Sequence, residues 1–199
     1  FAAKIQTRLS GLGFFETQNL KLISEAQLTD DLATNHRGMS PIRLKNPLND
    51  EQDYLRPGLV PGLLATAERN VRFGNPDLRL FEMGRVFTAT PKGGEVEHEH
   101  LALLISGASA PRSWANNKSV NLDIHDLRAA LDQICPAGLN FQPIEDDRLL
   151  CACNIEIGTG KKAAKLGIAG VVSPARAREL DIEAPVIVAA INLKKLMAD

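Results

Sequence analysis

Residues 78–87, LRLFEMGRVF, alternate like a strand, yet both alternating sets are largely apolar, and this run constrains the fold more than any other feature of the chain. Successive side chains of a strand point to opposite sides. One face therefore carries Leu78, Leu80, Glu82, Gly84 and Val86, and the other Arg79, Phe81, Met83, Arg85 and Phe87. A strand apolar on both faces needs cover on both, which predicts a central place in its sheet. Glu82 then points into a covered face, where an unpaired carboxylate is costly enough to take up a proton instead of staying charged. Arg56 is the candidate partner. A solvated edge position for Glu82 is the plainer alternative.

The residues upstream read as a turn, an acidic loop and a helix. Asn46-Pro47 breaks the chain, because the residue before a proline is pushed out of the helical region and proline donates no backbone hydrogen bond. Residues 60–71 place Leu63, Leu64, Ala67 and Val71 at helical spacing, with Pro61 in the first turn where its missing N–H costs least. Glu68, Arg69 and Arg72 take the other face. Gly74-Asn75-Pro76 then turns the chain into the strand.

With these segments the chain resembles a known family. The runs NPL (from Asn46 and Pro47), LRPGLVPGLL (with Leu55, Arg56, Pro61, Gly62 and Leu63) and LRLFEMGRVF (with Phe81, Glu82, Gly84, Arg85 and Phe87) are similar to the core domain of bacterial-type phenylalanyl-tRNA synthetase beta subunits. That module is built like a class II synthetase catalytic domain but lacks its chemistry. The resemblance runs through nearly all 199 residues; it is strongest over 46–87, weaker over 121–131 and 166–180, and poor over 138–162. It implies an α+β fold with an antiparallel or mixed sheet flanked by helices. It also implies one core domain over residues 1–199, cut from a longer beta subunit, whose task is to pair with the catalytic alpha subunit in an alpha-beta heterotetramer. ATP and magnesium would be used by that holoenzyme and not held by this fragment, and tRNA would be reached only through the assembly. By the same analogy, the opening helix and strand correspond to the first class II motif, and Ile5, Leu9 and Leu12 would face a partner helix. From the residues alone, burial of those three in the chain's own core is an equal reading.

The composition fits that picture. With 199 residues, 44% hydrophobic and 24% charged, the chain can bury a substantial core and is not of the disordered class. A formal net charge of −1 argues against a domain that grips nucleic acid mainly by neutralising phosphates. No run of about 18 apolar residues predicts a membrane span, and no cleavable leader is visible. Three cysteines, Cys135, Cys151 and Cys153, form no spaced framework and suit a reducing cytoplasm. The chain opens on Phe1, as a piece of something longer would.

In chain order, residues 2–12 read as the end of an amphipathic helix stopped by Gly11 and Gly13. A strand over 15–23 follows, then a short helix to Leu32 opened by a capping box in Ser24-Glu25-Ala26-Gln27, a loop over 35–40 and a short strand at 42–44. Beyond the central stretch, Pro91-Lys92-Gly93-Gly94 turns, 101–106 is a covered strand, and 108–120 is polar and irregular around Trp114. Residues 123–134 form a helix with Ile124, Leu127, Ala130, Leu131 and Ile134 inward, ended by Pro136 and Gly138. Strands are expected at 139–144, 149–157, 163–172 and 186–192, with a short helix at 174–180 capped by Ser173.

No chemical motif survives inspection. Gly158-Thr159-Gly160-Lys161 lacks the earlier glycine and the following Ser or Thr of a phosphate loop, and reads as a hairpin turn. Cys151 with Cys153, and His98 with His100, each offer two ligands on one strand face where a structural zinc site needs four. His36 and His125 lack a nucleophile; Asp123 and Asp126 beside His125 suit the acidic first turn of a helix. Trp114 is read as a packing anchor. No catalytic, cofactor-binding or metal residue is assigned. The resemblance points the same way: where a class II second motif continues to an arginine that grips the ATP phosphate, Phe87 is followed here by Thr88, a short hydroxyl without the forked donors of a guanidinium. The third motif would fall over 166–178, where only Arg176 and Arg178 are partial reminders. A free-standing synthetase-like ligand-binding or regulatory domain would show the same degenerate motifs and is the alternative reading.

Overall fold

The computed structural model describes residues 1–32, 40–47, 49, 51–110, 114, 120–135, 138–158, 160 and 163–196. In chain order the elements are α1 (Ala2–Gly11), β1 (Phe15–Glu16), β2 (Leu22–Ile23), a 3-10 helix (Ala26–Asp30), β3 (Ile42–Arg43), β4 (Tyr54–Leu55), α2 (Val60–Arg72), β5 (Leu78–Ala89) and β6 (Glu95–Ser106). They continue with α3 (Ile124–Ile134), β7 (Leu139–Pro143), β8 (Leu149–Ile157), β9 (Ala164–Val172), α4 (Pro174–Glu179), β10 (Val186–Asn192) and α5 (Leu193–Leu196). The main sheet has seven strands in the order β1-β5-β6-β10-β9-β8-β7; all neighbours are antiparallel except β1, which runs parallel to β5. The small strands pair in the order β2-β4-β3. This is the expected α+β mixed sheet with helices on both sides.

Alternation along the inner strands divides the core into two layers. Phe81 on β5, Leu101, Leu103 and Ile105 on β6, and Ile187, Ala189 and Ile191 on β10 meet α1, α3 and α5 through Ile5, Leu9, Leu127, Leu131 and Leu193. The neighbouring residues Leu80, Ala102, Leu104, Val186 and Val188 meet α2 and α4 through Leu63, Leu64, Ala67 and Ala177. Each fully buried leucine in these layers contributes ~1.5–3 kcal/mol by removal from water. Two apolar faces were legible in 78–87, but the central place was not: β5 is next to the edge, and β10 holds the middle. The outer edge of β5 is covered instead by β1, by Ser40, and by Arg56, whose carbonyl accepts from Phe87 N at 2.9 Å.

Several elements differ from their sequence readings. The strand expected over 15–23 is two fragments in two sheets, because the chain leaves the edge of β5 after Thr17 to bring Asn19 inward. The capping box is present, with Gln27 N donating to Ser24 Oγ at 3.4 Å and Ser24 N to Gln27 Oε1 at 3.1 Å, but it opens only the 3-10 helix ending at Asp30. β4 was not foreseen. β6 begins at Glu95, ahead of the apolar run, since Glu95–His100 alternates charge with residues facing the sheet and keeps full register with β5. Cys151 and Cys153 do not share a face: Cys151 sits at φ 50° in a bulge, exposed, while Cys153 is buried. Trp114 is fully exposed, so it anchors nothing. The loop over 35–40 with His36 lies outside the described residues except for Ser40, as do Pro136, Thr159 and Lys161; Gly158 and Gly160 flank the β8–β9 turn with positive φ. Among the described residues no helix is long and apolar enough to cross a membrane.

Candidate functional site

The residues that carry the family motifs converge on one buried ion pair. Arg56 follows β4, ahead of α2, and its backbone is fixed on both sides, by Arg56 N donating to Lys21 O at 2.9 Å and by Phe87 N donating to Arg56 O at 2.9 Å. That places the side chain across β5, where Nη1 donates to Glu82 Oε1 at 2.5 Å and to Asn19 O at 3.3 Å, and Nε donates to Arg85 O at 3.0 Å. Arg56 is 5% and Glu82 2% exposed. Glu82 accepts further from Asn19, through the backbone N at 3.3 Å and through Nδ2 at 2.8 Å. Asn19 Oδ1 in turn accepts from Thr66 Oγ1 of α2 at 2.9 Å. A buried carboxylate met by a guanidinium and an amide is satisfied, whereas either charge alone would be stranded.

The two glycines of the motifs make room for this network. A Cβ at Gly84 would collide with Arg56 Nη2, and one at Gly62 would meet Asn19 Cβ at 2.9 Å. The requirement is therefore the absence of a side chain, not an unusual φ. Leu55, Pro61 and Leu63 hold the flanks, with Pro61 and Leu63 on the buried face of α2. Phe81 points to the opposite layer. Arg85 is exposed and pairs across the strands with Glu97 at 2.9 Å. Phe87 contributes the backbone bond to Arg56. Asn46 and Pro47 stand apart, in the turn between β3 and β4. The sequence marks Arg56 and Glu82 but not Asn19, Thr66 or Thr17, whose Oγ1 accepts from Asn19 Nδ2 at 3.3 Å; the one hint is the polar run Glu16-Thr17-Gln18-Asn19.

Ile5 and Leu9 lie in the chain's own core, against Phe81 and the α3 residues, so they are not free to face a partner helix. Leu12 is 41% exposed, and Phe1 and Phe15 are more exposed still.

Arg79, Arg176 and Arg178 each make contacts within the chain. Arg79 Nη2 donates to Ser109 O at 2.6 Å, Arg176 binds Asp30 through Nε at 2.6 Å and Nη2 at 2.7 Å and Glu179 through Nη1 at 2.7 Å, and Arg178 donates to Pro174 O at 3.0 Å. The carboxylates beside Arg176 hold its pKa above the usual guanidinium value. Thr88 is 1% exposed, and its hydroxyl has no partner among the described residues, so it lines no open surface. His98 and His100 do share a face, their rings 6.1 Å apart; burial, then Lys194 and Lys195, lowers the pKa of His98. Burial also pushes the Cys153 thiol up, away from thiolate chemistry. Among the described residues no three His, Cys, Asp or Glu side chains gather as metal ligands would.

Comparisons with known proteins identify what the chain is similar to. The family model described as phenylalanyl tRNA synthetase beta chain CLM domain matches residues 1–193. The phenylalanine–tRNA ligase beta subunit of Novosphingobium aromaticivorans is 32% identical over 163 residues, covering 78% of this chain and 20% of that protein. That of Dehalococcoides mccartyi strain CBDB1 is 31% identical over 192 residues, 95% of this chain and 23% of that protein. The chain thus spans about a fifth of the length of the curated relatives it matches. Among solved structures, pyrrolysyl-tRNA synthetase from Desulfitobacterium hafniense superimposes with a TM-score of 0.71 at 14% identity, over 98% of this chain and 66% of that one. A second structure of the enzyme from that organism gives a TM-score of 0.68 at 15% identity, over 98% and 66%. The fold is that of a class II-like synthetase domain.

Proposed function

Because the chain belongs to the family of phenylalanyl-tRNA synthetase beta chain CLM domains, we propose that it is the non-catalytic core of a phenylalanine–tRNA ligase beta subunit, one domain of a longer cytoplasmic polypeptide. In this reading it pairs with the catalytic alpha subunit in an alpha-beta heterotetramer and holds that active site in its productive assembly. ATP, magnesium and the adenylation of phenylalanine belong to the alpha subunit, and tRNA is reached through the assembled enzyme.

The observation that carries the reading is the state of the motif residues: Arg56 is consumed by Glu82, and the position after Phe87 holds Thr88, buried and uncharged. A triphosphate needs a preorganised cation, and the two cations of this strand, Arg79 and Arg85, are spent on Ser109 O and Glu97. The first experiment is co-expression of the full-length beta subunit that carries this chain with its alpha subunit. Co-purification with ligase activity is expected, together with no pyrophosphate exchange by the beta subunit alone. Failure to co-purify, or exchange by the beta subunit alone, overturns the reading.

A further inference from the structure

A cleft of about 180 Å³ opens between the 3-10 helix, the start of α2 and the β9–α4 junction. It lies away from the Arg56–Glu82 centre and shares no residue with it. Leu32, Val60, Leu64, Leu149 and Val172, all buried, form its apolar floor. A cavity of roughly 150 Å³ with such a lining accepts a benzene-sized group, so the space fits one small ring or one branched aliphatic chain. We propose that this cleft binds a small primary amine carrying such a compact apolar group.

Charge at the mouth selects the amine. Two arginines reach the rim, but neither has its fork free for an anion. Arg148 is held by Asp146 through Nε at 3.0 Å and Nη2 at 2.7 Å, and spends Nη1 on Asp31 O at 2.5 Å. Arg176 is held bidentately by Asp30 and by Glu179. Five carboxylates, Asp30, Asp31, Asp146, Asp147 and Glu179, stand with three cations, Arg148, Arg176 and Lys165, an excess of negative charge. Asp147 lines the cleft, is exposed, and makes no hydrogen bond among the described residues. An ammonium can meet Asp147 while its apolar group sits on the floor; a carboxylate ligand would face the excess of like charge.

The test uses three probes of one size, 3-methylbutylamine, 3-methylbutan-1-ol and 3-methylbutanoate, titrated by ligand-observed NMR against the full-length protein. The amine is expected to bind saturably, ~2- to 5-fold tighter than the alcohol, as an exposed ion pair allows, with the carboxylate weakest. Thr29→Trp, at the rim, fills the cleft and should abolish amine binding. Asp147→Asn, on an exposed loop, should bring the amine down to the alcohol's affinity even if Thr29→Trp does not fold. No saturable amine binding, a carboxylate that binds as tightly as the amine, or an amine affinity unmoved by Asp147→Asn would each overturn the proposal.

Discussion

Glu82 takes hydrogen bonds from two segments distant in sequence, Arg56 ahead of α2 and Asn19 between the small strands, so its environment depends on the whole arrangement being in place. Removing one member of such a pair leaves the other charged and dry. Glu82→Gln or Arg56→Met alone should each destabilise the protein by ~3–5 kcal/mol, while the double change Glu82→Leu with Arg56→Met costs clearly less; urea unfolding of the four forms reads the difference, and small equal effects for the singles would discard the coupling. Asp146 behaves differently, because it is only half-buried and its partner Arg148 is exposed. Its hydrogen bond to Arg148 holds its pKa below the ordinary 3.8. The unfolded chain therefore takes up the proton first on acidification, so this stabilisation is intact above pH 3.8 and is lost as the pH falls through the lower folded value. Asp146→Asn should flatten that acid limb in unfolding free energy measured against pH. Of these residues, Arg56 and Glu82 were legible in the sequence because a carboxylate on an apolar strand face demands a cation. Asn19 was not, since a single amide in a loop makes no such demand until the fold brings Glu82 beside it.

At the scale of elements, periodicity gave α2, α3, β8 and β10 nearly residue for residue, because each buries a full stripe or face and the pattern repeats over nine positions or more in the longer ones. Local chemistry fixed their ends. Asp123 accepts from His125 N at 2.7 Å and Asp126 N at 3.2 Å, and Asp126 accepts from Asp123 N at 2.8 Å, so the two aspartates read as dipole partners in fact form a capping box. Asp123→Ala should cost ~1 kcal/mol, visible as a lower thermal midpoint, and a loss below a few tenths of that would remove the cap from the account. The elements that were misread are those whose structure is imposed from elsewhere. The start of β6 is charged enough to look like loop, yet β5 pairs with it along all twelve residues. Residues 15–23 are bounded by apolar residues, which suggests one strand, yet Asn19 is drawn to Glu82 and splits them.

For the molecule as a whole, the exposed apolar residues Leu12 and Phe15, at the end of α1 and on β1, are the contact we propose for the alpha subunit. Leu12→Lys with Phe15→Lys should abolish co-purification with that subunit while moving the stability of this chain by no more than ~0.5 kcal/mol, as surface changes do; retained association would move the contact elsewhere. The sequence by itself determined the α+β class, most element types and the need for a partner at Glu82, because hydrophobic periodicity and buried charge are properties of short stretches, and its motifs carried the resemblance to the family. Only the tertiary structure decided which strand is central, that Gly62 and Gly84 exist to admit Asn19 and Arg56, and that Arg176 is committed to Asp30. Those outcomes depend on contacts between residues up to 146 positions apart, and no local pattern records which distant side chain will arrive.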